Sequence, residues 1–173
     1  MNNNTFVHKY IKSLVCKDDI CVDMTLGNGL DSELLCKLCK HVYGFDISLK
    51  AIENSKLRLS KYNNITYIHD NHINVDKYVK QEIKLTIFNL GYLPHSDKTT
   101  ITKSHDTLLA FQKIYSMTKK EGYIIITFYI GHLGGKDEYY LLDKYFNDNN
   151  INIIETYRQD KLDSPITYII KKY

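Results

Sequence analysis

Short apolar runs alternate along this chain with longer segments in which apolar positions recur every three or four residues. A short run bounded by turn formers reads as a buried strand, and the three-to-four spacing reads as a helix with one face toward a core. Strands are therefore expected at residues 20–24, 41–46, 65–69, 85–89 and 122–130. Helices are expected at 5–16, 31–39, 49–60, 103–119 and 136–147, the first with Thr5 as N-cap and Phe6, Tyr10, Leu14 and Val15 on one face. Strand and helix take turns, which implies an α/β fold with a doubly wound, mostly parallel sheet. Two last runs, 151–157 and 167–172, flank a short polar stretch containing Pro165. They should pair antiparallel and complete a sheet of seven strands. Ligands of such sheets lie in the crevice at the carboxyl ends of the strands, where Asp23, Asp46, Asp70 and Asn89 all fall.

Composition narrows the class. The 173 residues suit one domain spanning 1–173 with a real core. No run of about 18 apolar residues is present, and Met1-Asn2-Asn3-Asn4-Thr5 lacks the basic and apolar regions of a signal peptide, so a cytoplasmic protein with no membrane partner is expected. Of the cysteines at 16, 21, 36 and 39, Cys36 and Cys39 are one helical turn apart, which suits core positions better than a zinc site. Neither a metal nor disulfides are expected. The net charge of +3 is modest, and the basic residues are spread along the chain. That permits a nucleic-acid partner without requiring one.

The chemistry concentrates at the end of the first strand, in Val22-Asp23-Met24-Thr25-Leu26-Gly27-Asn28-Gly29-Leu30-Asp31. Two glycines allow positive φ and close approach to a ligand, and Asp46 ends the next strand, where an acid holds a ribose diol. The dinucleotide fingerprint is incomplete, because Ser32 stands where a third glycine belongs. Asp31 falls in the first turn of the following helix, where a pyrophosphate would compete with it for the helix dipole. With Asp23 below the loop, the carboxylates suit a cation, and S-adenosylmethionine, with its sulfonium and ammonium, is favoured over NAD. Taken alone, the loop is equally an ordinary turn capped by Asp31.

A second motif, Phe88-Asn89-Leu90-Gly91-Tyr92-Leu93-Pro94, ends the fourth strand on the same rim. It resembles the Asn-Pro-Pro-Tyr motif of amino-group methyltransferases, with Leu90-Gly91 replacing both prolines. Asn89 offers an acceptor, Gly91 lets the backbone approach closely, and Tyr92 can stack on a base. On its own the string also suits a turn. Two polar loops share the rim, one at 95–102 and the other Gly131-His132-Leu133-Gly134-Gly135-Lys136. The second suits a phosphate, through its amides and Lys136, or a flexible connector. His132 or His95 could take a proton, and Asn71-His72 after Asp70 are placed to flank an adenine ring.

Together, the strings at 23–32, Tyr43-Gly44-Phe45-Asp46-Ile47, the 88–94 motif, Asp97-Lys98 and the 131–136 loop resemble the YtqB family nearly end to end. Members of that family, long labelled rRNA methylases, are described as MnmM, which methylates the aminomethyl group of wobble 5-aminomethyl-(2-thio)uridine in bacterial tRNA. The resemblance implies a Rossmann-like class I methyltransferase using S-adenosylmethionine, with the tRNA anticodon stem-loop as partner. It sets the glycine loop and Asp46 on the cofactor, which gives Asp23, Thr25, Gly27, Asn28, Gly29, Asp31 and Asp46 as expected cofactor residues, and position adds Ile47, Asp70, Asn71, His72, Asn89, Leu90 and Gly91. It sets the Asn89 to Tyr92 turn facing the uridine, and Tyr92, Leu93, Pro94, Lys98, Gly134, Gly135 and Lys136 are the expected substrate-side residues. Asn89, Tyr92 and His132 are the expected catalytic residues. The family commonly has Gly-His-Asp where this chain has Gly29-Leu30-Asp31, so any role of that histidine is absent here.

Direct attack of a neutral amine on the methyl carbon needs no cysteine nucleophile. Asn89 would orient the lone pair, Tyr92 would hold the uracil, and water or His132 would remove the proton. The other readings are methylation of rRNA or a small amine, a dehydrogenase, and a non-catalytic RNA-binding module. A homodimer is a prior for soluble enzymes of this size.

Overall fold

The computed structural model describes residues 1–90 and 100–173, and the side chains of these apart from 100–103. The strands are β1 (Ile20–Asp23), β2 (His41–Asp46), β3 (Ile65–His69), β4 (Ile83–Leu90), β5 (Thr118–Phe128), β6 (Ile153–Arg158) and β7 (Ile166–Lys171). They form one sheet in the order β3-β2-β1-β4-β5-β7-β6. The first five strands run parallel, and β7 pairs antiparallel with both β5 and β6. The alternating α/β reading and the antiparallel ending both hold.

Helices α1 (Asn3–Leu14), α2 (Leu30–Leu38) and α3 (Leu49–Arg58) precede the short α4 (Val75–Tyr78), and α5 (Thr100–Met117) and α6 (Gly135–Asp148) follow. Successive strand residues point to opposite faces, and the two cores sort accordingly. Cys21, Ile87, Ile125 and Ile169 face α1 and α2, packing with Phe6, Val7, Ile11 and Leu35. Their neighbours Val22, Phe88, Ile126 and Ile170 face α5 and α6, packing with Phe111, Ile114, Leu142 and Phe146. Each of these fully buried large side chains contributes roughly 1.5–3 kcal/mol.

Three local expectations change. The N-cap of α1 is Asn2, whose side chain accepts the Thr5 amide at 2.8 Å, and the helix starts two residues earlier than predicted. Asn2 accepts the amide three residues on, the bond an N-cap makes, which puts Thr5 inside the first turn. The 3₁₀ turn His72–Asn74 and helix α4 lack enough apolar periodicity to be read from sequence. Strand β5 starts at Thr118 because it pairs with Ile83 through an irregularity, with Glu121 at a φ of 59°. Cys21, Cys36 and Cys39 are buried, and burial pushes the Cys36 thiol up to about 12.

Candidate active site at the carboxyl rim

The loop after β1 is tied to its neighbours by main-chain bonds. Met24 N–H donates to Ile87 O at 2.9 Å and Leu26 N–H to Phe45 O at 2.8 Å, which sets the loop between β4 and β2. Gly27 and Gly29 take φ values of 50° and 76°, and a Cβ on Gly29 would sit 3.1 Å from Leu59 Cδ1. Glycine is needed at 29 on both counts.

Carboxylates organise the same loop. Asp46 accepts the Gly27 amide at 2.9 Å and the Ser48 amide at 2.8 Å. Asp23 is buried, accepting the Thr25 amide at 3.1 Å and the Ser32 hydroxyl at 2.7 Å. Burial, helped by the Asp31 charge, pushes its carboxyl up to about 7. Ser32, the departure from the dinucleotide fingerprint, thus replaces close glycine packing with a hydrogen bond to Asp23. Asn28 is bridged to Asn54 of α3 at 3.3 Å.

Asn89, one residue from the end of β4, is held at both ends. Its amide N–H donates to Thr25 Oγ1 at 2.8 Å, and its side-chain Nδ2 donates to Asp31 Oδ2 at 2.5 Å. A carboxylate only accepts, so Asp31 must face the NH₂ end, and the Asn89 Oδ1 is left to accept from another donor. The other Asp31 oxygen meets His8 Nε2 of α1 at 2.7 Å.

At the end of β3, Asp70 accepts from Asn71 N, Asn74 Nδ2 and the Tyr78 hydroxyl, and the Tyr78 bond holds its carboxyl below the usual range. Asn71 caps the 3₁₀ turn through Ile73 N and donates to Asp106 of α5 at 3.2 Å. His72 donates from Nδ1 to Met24 O at 3.2 Å, and burial lowers its pKa. Ile47, next to Asp46, is 53% exposed, an apolar surface at the mouth of the loop.

The last loop is shaped by close backbone contact. Gly134 caps α6 at a φ of 79°, and a Cβ on Gly135 would lie 2.2 Å from Tyr129 O. Glycine at 135 lets α6 begin hard against the exit of β5. His132 and Lys136 are exposed, and the His132 ring lies 5.9 Å from Tyr129. In the first turn of α6, Glu138 accepts the Thr107 hydroxyl at 2.7 Å, and burial raises its carboxyl.

The rim thus brings together Asp23, Thr25, Gly27, Asn28, Gly29, Asp31, Asp46 and Asn89. Asp70, Asn71 and His72 line its β3 side, Leu90 ends β4, and Gly134, Gly135 and Lys136 open α6. Gly91, Tyr92, Leu93, Pro94, His95 and Lys98 lie outside the described residues. Sequence reasoning missed His8 and Tyr129, and noted Ser32 only as a missing glycine without its bond to Asp23. Tyr129 is close enough to Asp31 that, after burial, this charge is the second cause of its raised pKa. A tyrosine leaving a strand just before a glycine loop was the one available signal.

A family model described as "Putative rRNA methylase" matches residues 42–171. The "tRNA (mnm(5)s(2)U34)-methyltransferase, chloroplastic" of Arabidopsis thaliana is 30% identical over 154 residues, covering 80% of this chain and 56% of that protein. "Ribosomal RNA small subunit methyltransferase H" of Clostridium botulinum is 34% identical over 82 residues, covering 45% of this chain and 26% of that protein. The chain therefore spans about half, or less, of the length of these relatives. A Streptococcus mutans structure described as "a putative methyltransferase" in complex with SAH superposes with a TM-score of 0.87 at 28% identity, covering 100% of this chain and 99% of that one. A "putative rRNA-methylase" from Clostridium thermocellum superposes with a TM-score of 0.86 at 34% identity, covering 100% and 98%.

Proposed function

The chain belongs to the rRNA methylase family, and on that premise we propose that it methylates the aminomethyl nitrogen of wobble 5-aminomethyl-(2-thio)uridine in tRNA, using S-adenosylmethionine. Residues 1–173 act in this reading as one methyltransferase domain, in the cytoplasm, with the anticodon stem-loop as partner. The observation that carries it is the clamped Asn89, which leaves a preset acceptor, Oδ1, at the rim of a carboxylate-rich glycine loop. The name of the Arabidopsis relative supplies the substrate.

The residues present fit the cofactor. Asp46 spends one lone pair of each oxygen on Gly27 and Ser48, which leaves lone pairs for ribose hydroxyls. Exposed Ile47 offers an apolar surface for a base to pack on, and Asp31 supplies negative charge for a cation. When bound, S-adenosylmethionine supplies a methyl group carried on a sulfonium.

A lysine-like amine with a pKa near 10.4 is neutral in roughly one molecule in a thousand at pH 7, so the site must select that form. Asn89 Oδ1 accepts one amine N–H and thereby aims the lone pair. Tyr92 holds the uracil face, water or His132 takes the released proton, and Lys98 and Lys136 approach backbone phosphates. Orientation of this kind supplies as much as about 7–11 kcal/mol of barrier lowering.

The test is methyl transfer to tRNA carrying unmethylated 5-aminomethyluridine, with the digested nucleosides read by mass spectrometry. A one-methyl gain confined to the aminomethyl nucleoside is expected. No gain there, with transfer to rRNA or a small amine instead, would favour the second reading, which the similarity to the Clostridium rRNA enzyme supports.

A further inference from the structure

We propose that His8 is a positioning residue for methyl transfer, acting through Asp31 to hold the Asn89 amide with Oδ1 toward the amine. This rests on the function proposed above. His8 Nε2 lies 2.7 Å from Asp31 Oδ1, and Asn89 Nδ2 lies 2.5 Å from Asp31 Oδ2. The two bonds join α1, α2 and the end of β4, elements separated by 23 and 58 residues along the chain.

The direction of the chain follows from chemistry. Asp31 accepts only, so both flanking groups must donate, the imidazole from Nε2 and the amide from Nδ2. Loss of the imidazole donor leaves Asp31 Oδ1 without a side-chain partner among the described residues, with the Asp31 side chain only 15% exposed. The carboxylate then turns to find another donor, and the amide it orients turns with it.

Helix α1 is anchored independently of this chain, which makes it a rigid support for His8. The Thr167 hydroxyl donates to Asn3 Oδ1 at 2.6 Å, and the Phe6 ring stacks on Tyr157 at 4.3 Å and 12°. Phe6, Val7 and Ile11 are buried. In this arrangement His8 needs only to donate to Asp31.

The experiment compares His8→Leu, which removes the donor, with His8→Gln, which keeps an N–H in reach of Asp31. Single-turnover transfer is measured at saturating S-adenosylmethionine and tRNA, cofactor affinity by calorimetry, and the Asn89 side-chain NH₂ pair by ¹⁵N NMR. His8→Leu should slow transfer about tenfold with cofactor affinity within about twofold, and His8→Gln should restore most of the rate. His8→Leu should also shift the Asn89 NH₂ signals, a readout that does not depend on the identity of the substrate. Wild-type transfer by His8→Leu, an equal loss in both variants, or unchanged Asn89 signals would each overturn the proposal. Absence of transfer by the wild-type chain, with the Asn89 signals still shifted by His8→Leu, would instead fault the substrate reading and leave the positioning chain standing.

Discussion

Gly29 and Gly134 each cap a helix in the left-handed region, at φ values of 76° and 79°, and each helix carries two acids in its first turn. Around Gly29, carboxylates tie the loop, with Asp46 and Asp23 accepting main-chain amides and the Ser32 hydroxyl, and Asp31 gripping Asn89. Around Gly134, backbone contact does the work, since Gly135 lies against Tyr129 O with no room for a Cβ. The first turn keeps negative charge at the rim and suits a cation. The second offers amides and Lys136 beside the acids Asp137 and Glu138, whose charge offsets that of Lys136 and works against an anion there. Two similar glycine strings therefore do different things, and the difference lies in which side chains reach them.

The largest way to break this contrast is at Asn89. Asn89→Ala should lower turnover about a thousandfold, while calorimetry finds cofactor affinity within about threefold. A matching loss of affinity would make Asn89 part of the cofactor loop and not of the acceptor side.

Asp23 tests whether the first turn stores buried charge. Its folded-state pKa of about 7 lies above the ordinary 3.8, so its support for the fold is complete below 3.8 and is lost as pH rises through about 7. In urea unfolding between about pH 4 and about pH 8, the wild-type chain should lose roughly 4 kcal/mol relative to Asp23→Asn. Parallel pH profiles would show the carboxyl to be hydrated.

The second turn is tested by packing. Gly135→Ala should destabilise the fold by about 2 kcal/mol, against about 1 kcal/mol for Gly27→Ala, whose added Cβ meets nothing nearer than Thr25 O at 3.8 Å. Equal losses would mean that the exit of β5 yields to α6. The smallest effect is expected at Lys136, where substitution by Ala should weaken tRNA binding by about threefold or less, with a shallower salt dependence.

The first turn was largely legible in the sequence and the second only in part. Gly27, Gly29 and Asp46 sit at spacings that one βαβ unit imposes, so a local pattern carries them. Asn89 was legible as the polar end of an apolar strand. Its grip was not, because the partners Thr25 and Asp31 lie 64 and 58 residues away and leave no periodicity. His8 was invisible for the same reason, being one half-buried polar residue on an amphipathic helix. Gly134 and Gly135 read as a flexible or phosphate-binding loop, since close approach to Tyr129 O is a property of the packed sheet and helix alone. The turn at 72–74 and α4 were missed because three or four residues cannot express a helical period.

The central claim is that the acceptor amine sits on Asn89 Oδ1, and a crystal structure with S-adenosylhomocysteine and 5-aminomethyluridine tests it most directly. The account predicts the amine nitrogen about 3 Å from Asn89 Oδ1, with Nδ2 still bonded to Asp31. An amine resting on Glu138 or Asp137, with Asn89 turned away, would contradict it.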